Sequence, residues 1–245
     1  MPLAMFTGGS SWFVREAART LIADGWQIAI SDINMDNLAE NVAAIGGGAA
    51  VTGDWLDVTD LSAVNAYVQK LVRDRGSIDA LVNVAGGTQY LKLASRPPFH
   101  ETDPAQWDRI LGPNLYGTMH CCHAVIPHMV KARRGSIVNF SSSMGLRGKA
   151  NWALYSLAKG AIVRFSQSLC EELGPHNIRV NSIAPGSAQS RWVPDTMPVK
   201  GQVMPAIGER ITAKDIGDAI HFLLSERAKH ITGVCLDLSG GAAMH

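Results

Sequence analysis

Short apolar or β-branched runs alternate along the chain with longer segments of helical period. The runs are Leu3 to Thr7, Gln27 to Ser31, Ala49 to Thr52, Ala80 to Val84, Ser136 to Phe140, Arg179 to Ile183 and Val234 to Leu238. Between them, helical stretches are predicted near Val14 to Ala23, Met35 to Ala44, Leu61 to Arg73, Pro104 to Val130, Trp152 to Leu173 and Ala213 to Leu224. No linker or shift of composition divides the series. The pattern predicts an α/β fold, a doubly wound sheet of seven parallel strands flanked by helices on both faces, in a single domain. In such folds ligands collect at the carboxyl ends of the strands, so the residues just after each strand are the ones to inspect. The stretch 186–210, rich in Pro and Gly with Trp192 in its middle, is too long for a plain connection and reads as a lid or substrate loop.

Composition narrows the possible functions. Of 245 residues, 47% are hydrophobic and 18% charged, which suits one well-buried core and argues against disorder. Lys and Arg number 22 against 21 Asp and Glu, a net charge of +1, so there is no electrostatic footprint for nucleic acid or an anionic membrane. Lys131, Arg133 and Arg134 read as a solvated surface cluster. No apolar run approaches the roughly 20 residues that span a bilayer, and strand-like residues already begin at Leu3, so a cytoplasmic protein without a signal peptide is expected. Cys121, Cys122, Cys170 and Cys235 are irregularly spaced and form no disulfide framework. Cys121, Cys122 and His123 superficially suggest a metal site, but neighbours on a helix diverge by roughly 100° and no second ligand pair follows. They read as core-helix residues, His120, His123 and His128 as surface or packing residues, and no metal is expected.

The strand ends carry a set of landmarks: Thr7-Gly8 after the first strand, Asp32 after the second, Asp57-Val58 after the third and Asn83-Val84-Ala85-Gly86 after the fourth. Asn114 follows in the fourth helix, Ser142 after the fifth strand, Tyr155 and Lys159 in the fifth helix, and Pro185-Gly186 after the sixth strand. In order and spacing these residues resemble the classical short-chain dehydrogenase/reductase family over essentially the whole chain. The resemblance implies a Rossmann-like fold and an NAD(H)-dependent oxidoreductase with a catalytic set of Asn114, Ser142, Tyr155 and Lys159. It places the dinucleotide on Gly8, Ser10, Ser11, Trp12 and Phe13 in the first turn, on Asp32 and Ile33, on Asp57 and Val58, and on Asn83, Ala85 and Gly86. Tyr155, Lys159, Pro185, Gly186 and Ala188 complete that set. Family members commonly assemble through the fourth and fifth helices, so a homotetramer or homodimer is implied.

Physical chemistry gives the central pair a role of its own. Tyr155 and Lys159 stand four apart on one helix and share a face. A phenol with a pKa of about 10 is a poor base at neutral pH, and lowering it by roughly 3 units needs about 4 kcal/mol. A positive charge about 4 Å away, at an effective dielectric near 20, supplies that order of energy. Tyr155 is therefore the candidate proton-transfer residue, with Ser142 hydrogen-bonding the substrate oxygen. In the family, Lys159 also binds the nicotinamide ribose, and Asn114 holds a water linking the lysine to solvent. Asp32 is placed to accept from the adenosine ribose hydroxyls. No Lys or Arg adjoins it, and Ser11 stands where NADP users in the family often carry a basic residue, so NAD is expected over NADP. Asp57 is implied to contact the adenine amino group, the alternative being a cap for the next helix.

One departure is serious. Trp12 and Val14 stand where the family has the second and third glycines of its loop, the residues that admit the pyrophosphate and bring helix and sheet together. Three readings follow. The loop is remodelled around Gly8, Gly9, Ser10 and Ser11, whose amides still serve NAD; or the dinucleotide site is lost and Ser142 and Tyr155 run a non-redox reaction, as in the haloalcohol dehalogenases, which carry Arg where this chain has Lys159; or the scaffold is a non-catalytic dinucleotide-sensing or binding module. The first is adopted, as reversible oxidation of a secondary alcohol to a ketone. Its pocket is expected from Gln89, Tyr90, Ser142, Ser143, Met144, Trp152, Tyr155 and Trp192, whose aromatic content suits an apolar or aromatic small molecule.

Overall fold

Strand β1, Leu3–Thr7, is buried at all of its residues and lies between β2 (Gln27–Asp32) and β4 (Ala80–Asn83). With β3 (Val51–Trp55), β5 (Gly135–Phe140), β6 (Ile178–Pro185) and β7 (Cys235–Leu238), it completes a wholly parallel sheet in the order β3-β2-β1-β4-β5-β6-β7. Chain order reverses between β1 and β4, where the connections leave to opposite faces and open a crevice at the carboxyl edge. The structure is a computed structural model that describes residues 1–87, 97–191 and 205–243.

The helices cover both faces because each carries an apolar stripe. On one face, α1 (Trp12–Ala23), α2 (Met35–Ile45) and α8 (Ala213–Leu224) bury Val14, Ala17, Ala18, Leu21, Leu38, Ile216, Ile220 and Leu223 against Ala4, Phe6, Ile28 and Ile30. On the other, α3 (Leu61–Arg75), α5 (Gly117–Ala132) and α7 (Ala153–Leu173) bury Val64, Val68, Leu71, Val125 and Leu169 against Met5, Leu81 and Ile137. Each fully buried Leu or Ile contributes about 2 kcal/mol by removal from water. Cys121 and Cys122 are buried in this second layer, as expected of core-helix residues, while His123 is exposed. Among the described residues no group of His, Cys, Asp and Glu could hold a metal ion, and no helix is long and apolar enough to cross a membrane.

The predicted strands and helices are present, with two differences. The third strand starts at Val51 rather than Ala49 because Gly48–Ala50 forms a turn of 3-10 helix. The single helix expected over Pro104 to Val130 is broken into a 3-10 turn (Pro104–Gln106), the short α4 (Asp108–Leu111), a π turn (Gly112–Tyr116) and α5. Pro113 causes the break: it has no N–H to donate, and its ring crowds the carbonyl one turn back. Of the lid segment 186–210, residues 192–204 lie outside the described residues.

Candidate active site

The chemistry-bearing end is built around α7. Lys159 is 3% exposed, and its Nζ donates to the carbonyl of Phe140 at the end of β5, at 2.9 Å. That places the ammonium 5.9 Å from the centre of the Tyr155 ring. Burial lowers the lysine from its ordinary 10.5 to about 8. Ser142, two residues beyond the end of β5, caps the short α6 (Ser143–Arg147) by accepting from the Met144 amide at 3.2 Å. Two contacts tie this turn to α7. The Ser141 hydroxyl donates to the Lys159 carbonyl at 2.6 Å, and Gly145 meets α7 so closely that a Cβ there would stand 2.5 Å from the Lys159 carbonyl carbon. Ser142, Tyr155 and Lys159 are thus held by one backbone junction. Trp152 packs edge-on against Tyr155, ring centres 5.7 Å apart, and supplies an apolar wall beside the phenol.

Asn114 sits in the π turn and is wholly buried. Its Oδ1 accepts from the Gly87 amide at 2.7 Å, while its Nδ2 donates to the carbonyls of Gly87 and Ile110. The side chain therefore clamps the turn after β4 and satisfies a carbonyl that the helix break exposes. The Asn83 side chain is buried at the end of β4. Its Nδ2 donates to Asn139 Oδ1 at 2.8 Å, and Asn139 donates in turn to the Ser166 hydroxyl, joining β4, β5 and α7 beneath the site. Ser143 is only 6% exposed, whereas Ser142 and Met144 beside it are half-buried.

The first turn is stitched to its neighbours. Gly8 adopts φ +70 and lies so close to the chain after β4 that a Cβ would stand 2.7 Å from the Ala85 nitrogen, while Ala85 N–H donates to Thr7 Oγ1. Ser10 N–H donates to Asp32 Oδ2 and Ser10 Oγ to the Asn34 carbonyl. Ser11 N–H bonds the Gly8 carbonyl, and Ser11 Oγ caps α1 by accepting from Phe13 N–H. The Ser10, Ser11 and Phe13 amides, expected to serve the dinucleotide, are thereby engaged within the loop. Val14 is fully buried in the core cluster on this face of the sheet, so the valine is absorbed into the packing. Trp12, the first residue of α1, is half-buried; the Arg15 guanidinium covers its ring at 5.2 Å, and the indole N–H is buried without a partner.

Asp32 keeps one oxygen on Ser10 and the other on the Asn34 amide. A carboxylate offers about four lone-pair sites, so capacity for ribose hydroxyls remains. Ile33 beside it is 45% exposed. Asp57 Oδ1 accepts from the amide and hydroxyl of Thr59, a turn that leads into α3, while the cap itself is Asp60. Val58 is buried in the core and its carbonyl bonds His120 Nδ1. Pro185 ends β6, Gly186 N–H donates to the Leu238 carbonyl, and Ala188 bridges Ile211. Gln89, Tyr90 and Trp192 lie outside the described residues.

Two residues at this end escape sequence reasoning. Asn41, fully buried on α2, donates to the carbonyls of Gly9 and Ser11 and so shapes the first turn from below. Its signal is a polar residue on the same helix face as Leu38 and Ile45. Arg191, beyond β6, reaches Ser10, Asn37, Glu40 and Asn41, and nothing in its local sequence reveals that.

The residues present fit a nicotinamide dinucleotide at the ribose and nicotinamide ends: a carboxylate with free acceptor capacity, a glycine turn at the switch point, and a buried lysine beside a tyrosine. Comparison with known proteins agrees. A family model described as Enoyl-(Acyl carrier protein) reductase matches residues 14–243. The chain is similar to 2-(S)-hydroxypropyl-CoM dehydrogenase 3 of Xanthobacter autotrophicus, 33% identical and covering 96% of this chain and 94% of that one. It is also similar to the 3-oxoacyl-(acyl-carrier-protein) reductase FabG of Chlamydia muridarum, 34% identical over 98% and 96%. Among solved structures, NAD+-bound xylitol dehydrogenase superposes with a TM-score of 0.87 at 28% identity, covering 98% of both chains. The 3-ketoacyl-(acyl-carrier-protein) reductase of Brucella melitensis complexed with NADH gives 0.88 at 27%, covering 99% of this chain and 98% of that one. With a buried Lys159 against Tyr155 at the carboxyl edge of a doubly wound sheet, and with this similarity along its length, the chain belongs to the short-chain dehydrogenase/reductase family of NAD(P)-dependent oxidoreductases.

Proposed function

We propose that the protein interconverts a secondary alcohol and a ketone with NAD(H), through Ser142, Tyr155, Lys159 and Asn114. The observation that carries this reading is the buried Lys159 ammonium, 5.9 Å from the Tyr155 ring centre. At that distance the positive charge favours the phenolate over the neutral phenol. Tyr155 then removes the hydroxyl proton during oxidation and returns it during reduction, while Ser142 donates to the substrate oxygen as its charge grows. Bound NAD(H) supplies the hydride acceptor or donor. Lys159 and Tyr155 hold its nicotinamide ribose, and Asp32 its adenosine ribose. Asp32 with no basic neighbour in sequence supports NAD over NADP. Asn114 keeps the turn after β4 fixed against the helix break, which sustains the floor of the site.

The edge-on Trp152 supports an apolar or aromatic substrate, with the segment 186–210 as its lid. Exposed Tyr116, Met119 and Leu157 on the π turn, α5 and α7 support a homodimer or homotetramer. Four free cysteines suit the reducing cytoplasm. The test is consumption of NADH with a panel of small ketones by wild type and Tyr155→Phe. Wild-type turnover falling by about 10³-fold in the variant, with NADH binding retained, is expected. A variant as active as wild type refutes the assignment of Tyr155.

A further inference from the structure

Strand β6 lies three strands from β1, with β4 and β5 between them, a lateral distance of about 14 Å at the usual strand spacing. The chain leaving β6 nonetheless reaches the β1 side. Gln189 N–H donates to the Ile211 carbonyl at 2.7 Å, and two residues further on Arg191 extends its side chain to the first turn and α2. Its Nε donates to the Ser10 carbonyl (3.2 Å), Nη1 to Glu40 Oε2 (2.7 Å) and more distantly to Asn37 Oδ1 (3.4 Å), and Nη2 to Asn41 Oδ1 (3.2 Å). The arginine side chain is only 15% exposed, so this is a built position rather than a surface excursion. It joins the chain after β6 to the turn after β1 and to α2.

This position matters because several donors of the first turn are already committed to the protein itself. The Ser10, Ser11 and Phe13 amides are already engaged, and the glycines that bring backbone to a diphosphate are replaced by Trp12 and Val14. A guanidinium offers five N–H donors in a planar fork that matches phosphate oxygens. Three of the four acceptors it now meets are neutral. The fourth, Glu40, is 59% exposed, and an ion pair open to solvent on one side yields readily to a more highly charged anion. Arg191 also holds the Glu40 carboxyl below its ordinary range, so the pair is formed at neutral pH.

We propose that Arg191 is the diphosphate-binding cation of this protein, exchanging Glu40 for the dinucleotide's phosphates and taking the place of the backbone donors that a glycine loop would present. The proposal rests on the dinucleotide reading above and adds the residue that makes it work with this loop. Calorimetric titration of wild type, Arg191→Gln and Glu40→Gln with ADP, adenosine and adenosine 2′,5′-bisphosphate tests it without turnover. Wild type is expected to bind ADP at least tenfold more tightly than adenosine, and less tightly as salt rises. Arg191→Gln should lose that preference while its adenosine affinity stays the same. Glu40→Gln, which removes the competing carboxylate, should bind ADP several-fold more tightly, a direction that loss of a merely structural ion pair does not produce.

An ADP preference that survives in Arg191→Gln overturns the proposal and leaves the dinucleotide reading standing. So does a wild-type preference for the 2′,5′-bisphosphate that Arg191→Gln abolishes, since it moves the cation to a 2′-phosphate. If Arg191→Gln does not fold, Glu40→Gln decides, and unchanged or weaker ADP binding overturns the proposal. A wild type that binds neither ADP nor NADH removes both readings together.

Discussion

Lys159→Met replaces the buried ammonium by an apolar chain of similar length and makes the cost of that charge measurable. Lys159 titrates near 8 in the folded protein, against 10.5 for an exposed lysine. The difference corresponds to about 3 kcal/mol by which folding disfavours the charged form. Below pH 8 both folded and unfolded states are protonated and this cost is present in full. Between pH 8 and 10.5 the unfolded chain binds the proton that the folded one has released, so the residue's contribution to stability rises with pH. Above 10.5 the cost is gone. Urea unfolding of both proteins at steps from pH 7 to 10.5 should therefore show wild type gaining about 3 kcal/mol on the variant over that span. The missing bond to Phe140 displaces the variant's curve by a constant and drops out of the slope. Stability curves that run parallel across the window refute burial as the cause of the lysine's behaviour. Activity should vanish in the same variant, so the charge weakens the fold at neutral pH while serving the site.

Other outcomes follow from single contacts. Asp32→Ala removes the acceptor at the ribose end and the partner of the Ser10 amide, and fluorescence titration should show NADH affinity lower by about 10²-fold. Gly145→Ala forces a Cβ against the α7 backbone and should cost on the order of 3 kcal/mol in denaturant unfolding, with a loss of turnover, since Ser142 and Lys159 share that junction. Cys122, pushed up to about 12 by burial, and Cys121, pushed up for the same reason, should resist thiol reagents until the protein unfolds; mass spectrometry of briefly labelled native protein decides.

The sheet is legible in the sequence because Leu3 to Thr7, Gln27 to Ser31 and their counterparts are apolar runs bounded by turn residues, a signal that survives without any tertiary information. The Tyr155 and Lys159 relation is legible for a similar reason, since helical spacing alone puts both on one face. What stays hidden depends on direction and distance. Asn83 and Ser143 stand beside the candidate site in sequence, and only the packed fold shows that both are buried, with Asn83 bonded to Asn139. Pro113 announces a break, but not that the chain resumes through a π turn with Asn114 clamped to Gly87. The reach of Arg191 to Ser10 joins residues far apart in sequence, a contact that no local pattern encodes.

The junction of β5, α6 and α7 has a practical consequence. Phe140, Ser142, Tyr155 and Lys159 all come from one uninterrupted stretch, and the contacts that lock them, from Ser141 to Lys159 and from Gly145 to α7, are internal to it. The residues proposed to handle the proton thus form a portable cassette, whereas the proposed lid belongs to a separate stretch of chain after β6. Exchanging residues 192–204 for the corresponding piece of a relative should retune what the enzyme accepts without resetting its acid–base behaviour, which makes this scaffold a convenient recipient for loop libraries.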